Sequence, residues 1–213
     1  MINLHKNKFS IGIAIALIVA LLFFSLSLFG FFSSWQTSLS NVLYTEQPAL
    51  QDIVIIAVDD KSLQELGVWP WNRENFASVL NELSEAKVIA IDVAFYKESN
   101  ASADSALANA ISERDVILPV EYADFSVSSG KAVARKILKP IPILEDVAQL
   151  GFVNIFTDKD GITRSIPLTI ESEAGENYNS FTAEIYKQYL GKEFSYDKEK
   201  LTINFAGLGS FKT

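Results

Sequence analysis

Residues 9–32, FSIGIAIALIVALLFFSLSLFGFF, contain neither a charge nor a proline over 24 positions. A helix rises about 1.5 Å per residue, so the run reaches across a hydrocarbon core of roughly 30 Å. Lys6 and Lys8 precede it, and the first charge after it is Glu46. The positive-inside bias then keeps the N-terminus in the cytoplasm and puts everything after the run outside. A cleaved secretory signal has a shorter apolar core, about 7–15 residues, followed by a small-x-small site. Here Ser25-Leu26-Ser27 lies inside the run instead of after it. A buried helix of a soluble protein is the third reading, but charge-free runs of this length are rare in such helices. The sequence therefore reads as an uncleaved anchor, and the rest of the chain as a domain hung on a membrane.

That domain is acidic. With Lys6 and Lys8 set aside, 16 basic residues face 26 acidic ones, a formal charge of −10. Such a surface repels nucleic acid and anionic headgroups, so the reading includes no nucleic-acid partner. There is no cysteine, hence neither a disulfide framework nor thiolate chemistry. The one histidine, His5, precedes the apolar run, so Ser-His-Asp hydrolysis and His-ligated zinc have no imidazole outside.

Past the anchor, Trp35, Leu39, Val42 and Leu43 recur at helical spacing and predict a juxtamembrane helix ended by Pro48. Then apolar runs alternate with helical patterns. Residues 53–58 (IVIIAV) and 88–93 (VIAIDV) read as strands buried on both faces. Between them Asn72 caps a helix with Phe76, Val79, Leu80 and Leu83 on one stripe, so a right-handed parallel crossover is expected. Ser102 is placed as the cap of a helix burying Leu107, Ala110 and Ile111. A strand over 116–120 follows, stopped by Pro119, with 124–131 as a loop. Pro140 and Pro142 open a short helix through Leu144, Val147 and Ala148, ended by Gly151. Residues 152–156 and 162–170 are expected to form a hairpin across the turn 157–161. A helix through Phe181, Ile185 and Tyr189 and a strand over 201–205 complete the series. The predicted fold is α/β: an N-terminal transmembrane helix followed by one extracytoplasmic α/β domain with a mixed, mostly parallel sheet. The segments are a cytoplasmic N-terminus (1–8), the span (9–32), a juxtamembrane helix or linker (33–50) and the extracytoplasmic domain (51–213).

In parallel α/β sheets ligands gather beyond the carboxyl ends of the strands. Asp59 and Asp60 end the first predicted strand and Asp92 lies near the end of the second, so neighbouring strands would bring three carboxylates to one edge. Three readings stay open: a structural or ligand-polarising trio, a magnesium or calcium site built of oxygen ligands, and phosphotransfer of the response-regulator kind, which also needs a lysine at a later strand end and a phosphodonor. The segment 66–73 (LGVWPWNR) puts Trp69, Trp71 and Arg73 in a loop, either stacked on a ligand or partner or covering the sheet edge. Asp158-Lys159-Asp160-Gly161 has the start of a calcium loop, but Pro167 stands where its distal acid belongs, and a plain turn accounts for it better. No G-x-S-x-G elbow, Walker loop or dinucleotide fingerprint occurs, and the reading calls for no cofactor and no catalytic residue.

An ordered series of these segments carries a family resemblance. It comprises 52–63 (DIVIIAVDDKSL), 66–73, 88–95 (VIAIDVAF), 104–108 (DSALA), the strand ending at Pro119, Pro140-Ile141-Pro142, 150–154 (LGFVN), 158–168 (DKDGITRSIPL) and 203–207 (INFAG). Over roughly 51–211 the chain resembles the CHASE2 class of extracytoplasmic sensory domains. The resemblance implies a receptor input domain that binds a small-molecule or protein ligand, not an enzyme. It also implies further spans and a cytoplasmic cyclase or kinase module. The chain carries neither, so a fragment, a truncated product or a subunit acting through a partner is expected. The candidate ligand-binding residues are Asp59, Asp60, Asp92, Trp69, Trp71, Arg73 and Asn154. The membrane is an expected partner, as is a second copy through the membrane and juxtamembrane helices. Two alternatives remain: a structural or dimerisation module, and a metal-assisted hydrolase using Asp59, Asp60 and Asp92.

Overall fold

The charge-free run folds as α1 (Ile2–Leu28), in a computed structural model that describes residues 2–31, 50, 52–128, 131–158, 161–192 and 200–203. Its window Lys8–Leu28, with mean hydropathy 2.8, is long and apolar enough to cross a membrane by length and composition. Apolar side chains such as Phe9, Leu17, Leu21 and Phe24 stand exposed around it. The helix ends earlier than the sequence pattern. Gly30 takes φ +70°, and the amides of Gly30 and Phe31 bond back to the carbonyls of Ser27 and Leu26, a glycine-based stop. The predicted juxtamembrane helix lies outside the described residues. The chain divides into two compact units, one of residues 1–55, 159–161 and 204–213, the other of 56–158 and 162–203.

The second unit is α/β with a mostly parallel sheet. Its elements are α2 (Asp60–Leu66), α3 (Arg73–Glu82), β1 (Ile89–Ala90), α4 (Ala101–Ser112), β2 (Val116–Ser128), β3 (Lys131–Leu138), α5 (Pro142–Glu145), β4 (Gln149–Phe152), β5 (Ser165–Pro167), α6 (Phe181–Leu190) and β6 (Lys200–Thr202). Strand β2 is the spine. Its first half runs parallel to β1 on one edge and β4 on the other, and its second half pairs antiparallel with β3. Helices α3, α4 and α5 bury Leu80, Leu107, Ile111 and Leu144 with Val116 and Leu118 in one core. Val120, Tyr122, Phe152 and Ile170 form a second.

Pro119 does not stop β2; it stops β1. Backbone groups of alternate residues point to alternate edges of a strand. The Ile117 carbonyl bonds the Ile91 amide on the β1 edge, whereas the Val120 carbonyl bonds the Val153 amide on the β4 edge. The next donor owed to β1 would be residue 119, and proline has none. The predicted strand 88–93 is therefore cut to Ile89–Ala90, and β3 takes over that edge from Glu121 onward.

Other expectations are corrected. Residues 53–58 form no buried strand: they carry one bridge position, Val54, and Ile53, Val54, Ile55, Ile56 and Val58 are 44–60% exposed. A β-branched run fits a pleated surface but becomes a strand only where a partner pairs it. The helix before β2 is capped by Asn100, not Ser102, because the extended Asn100 backbone brings its Oδ1 within 2.8 Å of the Ala103 amide. Of the predicted loop over 124–131, residues 124–128 are instead the end of β2 and Lys131 the start of β3. Gly151 lies inside β4, not at the end of a helix. Residues 152–156 and 162–170 do not pair as a hairpin: β5 pairs with β6, and the Asp158 amide bonds the Ile162 carbonyl across the turn. The α3 and α6 helices form as expected, capped by Asn72 and ended by Gly191 in the left-handed region, but Val79 of the α3 stripe and Tyr189 of the α6 stripe are each 44% exposed.

Candidate ligand-binding site

The segment from Asp59 to Arg73 is built from its caps inward. Asp59 is the N-cap of α2, its Oδ1 accepting from the Ser62 amide at 2.8 Å and the Ser62 hydroxyl at 2.7 Å. The hydroxyl bond, then the amide bond, hold the Asp59 carboxyl below its ordinary range. Asp60, exposed in the first turn of α2, places negative charge at the positive end of that helix. Gly67 ends α2 at φ +91°, a conformation that disfavours a side chain, and its carbonyl accepts the Trp71 indole N–H at 2.8 Å.

An aromatic ladder follows. Trp69 and Trp71 meet edge-on at 5.5 Å between ring centroids, Trp69 meets Phe76 at 6.0 Å, and Phe76 meets Phe95 at 5.3 Å. Such edge-to-face pairs contribute about 0.5–1.5 kcal/mol each beyond area burial. Arg73 anchors the ladder: its guanidinium lies 5.2 Å from the Phe95 centroid and donates to Asp104 at 2.7 Å and to the Lys97 carbonyl. Both side chains of this ion pair are 7% exposed, and Asp104 also accepts the Ser99 amide at 3.1 Å. Above this footing the loop tip stays in solvent, with Val68 91% and Trp69 40% exposed.

The structure separates the predicted site residues into two kinds. Asp59, Asp60, Trp69 and Trp71 lie together along one short stretch of chain, Asp59 and Asp60 exposed and Trp71 half-buried. Arg73 is buried and fixes α3 to α4 through Asp104. Asn154 is half-buried, with both ends of its amide on one residue: Oδ1 accepts the Tyr122 amide and Nδ2 donates to the Tyr122 carbonyl, each at 2.8 Å. Asp92 is exposed beyond β1, where its charge, after burial and Glu121, helps push the Tyr96 hydroxyl up to about 12. The expected gathering of Asp59, Asp60 and Asp92 is not found. Among the described residues no three acidic or histidine side chains converge to hold a metal ion, since the run that was to carry the first two to the sheet edge is not paired there. Sequence reasoning missed Asp104 as the partner of Arg73; an acid among the buried Ala103, Leu107 and Ala108 of α4 is the signal that marks it.

A family model, the CHASE2 domain, matches residues 10–213. No curated protein and no solved structure matches the chain.

Proposed function

As the chain belongs to the CHASE2 domain family, a family of extracytoplasmic sensory domains, we propose that it is a receptor's input domain, anchored by α1 and reading its ligand or partner through the Leu66–Trp71 loop. The observation that carries the reading is the contrast at that loop: an exposed Val68 and Trp69 on a base fixed by the aromatic ladder and the Arg73–Asp104 pair. Rigid aromatics presented to solvent supply contact area at low entropic cost, as recognition surfaces require. Asp59 and Asp60 border the tip and favour cationic or hydrogen-bond-donating groups on what docks there. The N-terminus is cytoplasmic and the α/β unit external, as Lys6 and Lys8 direct. Self-association through the membrane segment belongs to the same reading, which assigns no reaction to the chain.

Two experiments test it. The chain has no cysteine, so Asn109→Cys, on the exposed side of α4, reports topology with a membrane-impermeant maleimide. Labelling of intact cells is expected, and labelling only after lysis overturns the orientation. In the purified full chain, Trp69→Ala is expected to abolish saturable quenching of tryptophan fluorescence by a binding compound while the protein stays folded, at a cost of about 1–3 kcal/mol from its two ring pairs. Trp71→Ala should cost about 3 kcal/mol. Equal, gross destabilisation by both variants would assign the loop to packing instead of recognition.

A further inference from the structure

A shallow cavity of about 320 Å³ opens where β4 meets α6, sharing no residue with the Leu66–Trp71 loop. Gly151 makes it. A Cβ there would stand 2.7 Å from the Phe181 Cα and 3.5 Å from the Glu184 Cβ, so only glycine lets α6 lie this close to the strand. The rim is fixed as well, by the Phe152 amide on the Asn179 carbonyl at 2.9 Å and the Ser180 amide on the Leu168 carbonyl at 3.1 Å. Glu184, 4% exposed, forms one wall; its carboxylate accepts from Asn179 Nδ2 at 2.9 Å and Gln188 Nε2 at 3.0 Å, with Lys187 Nζ at 3.5 Å.

We propose that this cavity is a binding site for one small, neutral, polyhydroxylated molecule of monosaccharide size. The wall's two charges, Glu184 and Lys187, are paired with each other, so the cavity has little net field with which to select an ion. What it offers instead is amide chemistry. Among the described residues the Gln149 amide and the Asn179 Oδ1 have no hydrogen-bond partner, and both line the cavity beside Asn177. Amides next to a buried carboxylate match hydroxyl groups, each of which donates and accepts. The volume lies at the small end of ligand sites, room for about a dozen heavy atoms. Its openness leaves one face of the ligand wet, which places affinity in the millimolar range.

The test is calorimetric titration of the full chain in nanodiscs with glucose, galactose, mannose and N-acetylglucosamine, and with glutamate, lysine and inorganic phosphate as charged probes. Expected are saturable millimolar binding of at least one neutral sugar, its weakening by about fivefold or more in Gln149→Ala, and its persistence in Trp69→Ala. Gln149 is exposed on β4, so that variant keeps its fold even if Asn179→Ala does not. No saturation by any neutral sugar up to about 50 mM, tighter binding of a charged probe, or binding unchanged in Gln149→Ala would each overturn the proposal.

Discussion

Two apolar runs of nearly the same composition meet opposite fates. Residues 116–120, VILPV, are buried to within 2% of complete, whereas residues 53–58, IVIIAV, leave every large side chain 44% or more exposed. Neither length nor β-propensity separates them. The first run has a strand on each edge, β1 and β4, and the α3–α4 core against it; the second has one bridge position. Hydrophobic burial depends on neighbours as well as on composition: among the described residues the 53–58 run belongs to no strand of the sheet, and its apolar side chains stay exposed.

The largest expected effect tests that contrast directly. Leu118→Ala should cost about 2–5 kcal/mol in denaturant unfolding, against about 0.5 kcal/mol or less for Ile56→Ala. Equal costs would mean that both runs are packed in the folded protein. Next comes Gly151→Ala, which pushes the α6 backbone away from β4 and should lose about 1–3 kcal/mol. The smaller effects are titrations, one from each region. Tyr96 lies half-buried behind β1 with its hydroxyl raised to about 12, so unfolded chains deprotonate first, near 10. Its contribution to stability is therefore intact below pH 10 and lost as pH rises through 12, and absorbance at alkaline pH should lose a phenol step near 12 in Tyr96→Phe. Asp59 is the opposite case. Its carboxyl lies below the unfolded value of 3.8, so its capping contribution is present above that pH and lost as pH falls through the folded value. Amide exchange at the start of α2 should quicken there in the wild type, while Asp59→Asn, still a good cap, removes the pH dependence.

What the sequence made legible follows from locality. The α3 stripe of Phe76, Leu80 and Leu83 and its Asn72 cap, and α6 with Gly191 at its end, are signals contained within one or two turns of chain. Strand ends were not local. Pro119 was read as ending its own strand, but its missing donor faces the β1 edge and shortens the neighbour instead. The hairpin after it had a signal that polarity masked: Ala123, Phe125 and Val127 alternate with Asp124, Ser126 and Ser128. At the candidate site the tryptophans and Asp59 could be found from the chain alone. The roles of Arg73 and Asn154 could not, because each depends on a partner about thirty residues away, Asp104 and Tyr122.

Asn154 gives the sheet an end. Where β4 leaves off, one primary amide presents an acceptor and a donor with the spacing of a peptide unit, and Tyr122 receives them as it would another strand. An incoming β-strand at this margin finds its first two contacts already made, so the protein cannot be lengthened into a ribbon from here. The chemistry is strict: Asn154→Asp would set an oxygen against the Tyr122 carbonyl, and the margin would be open to the next chain that arrived.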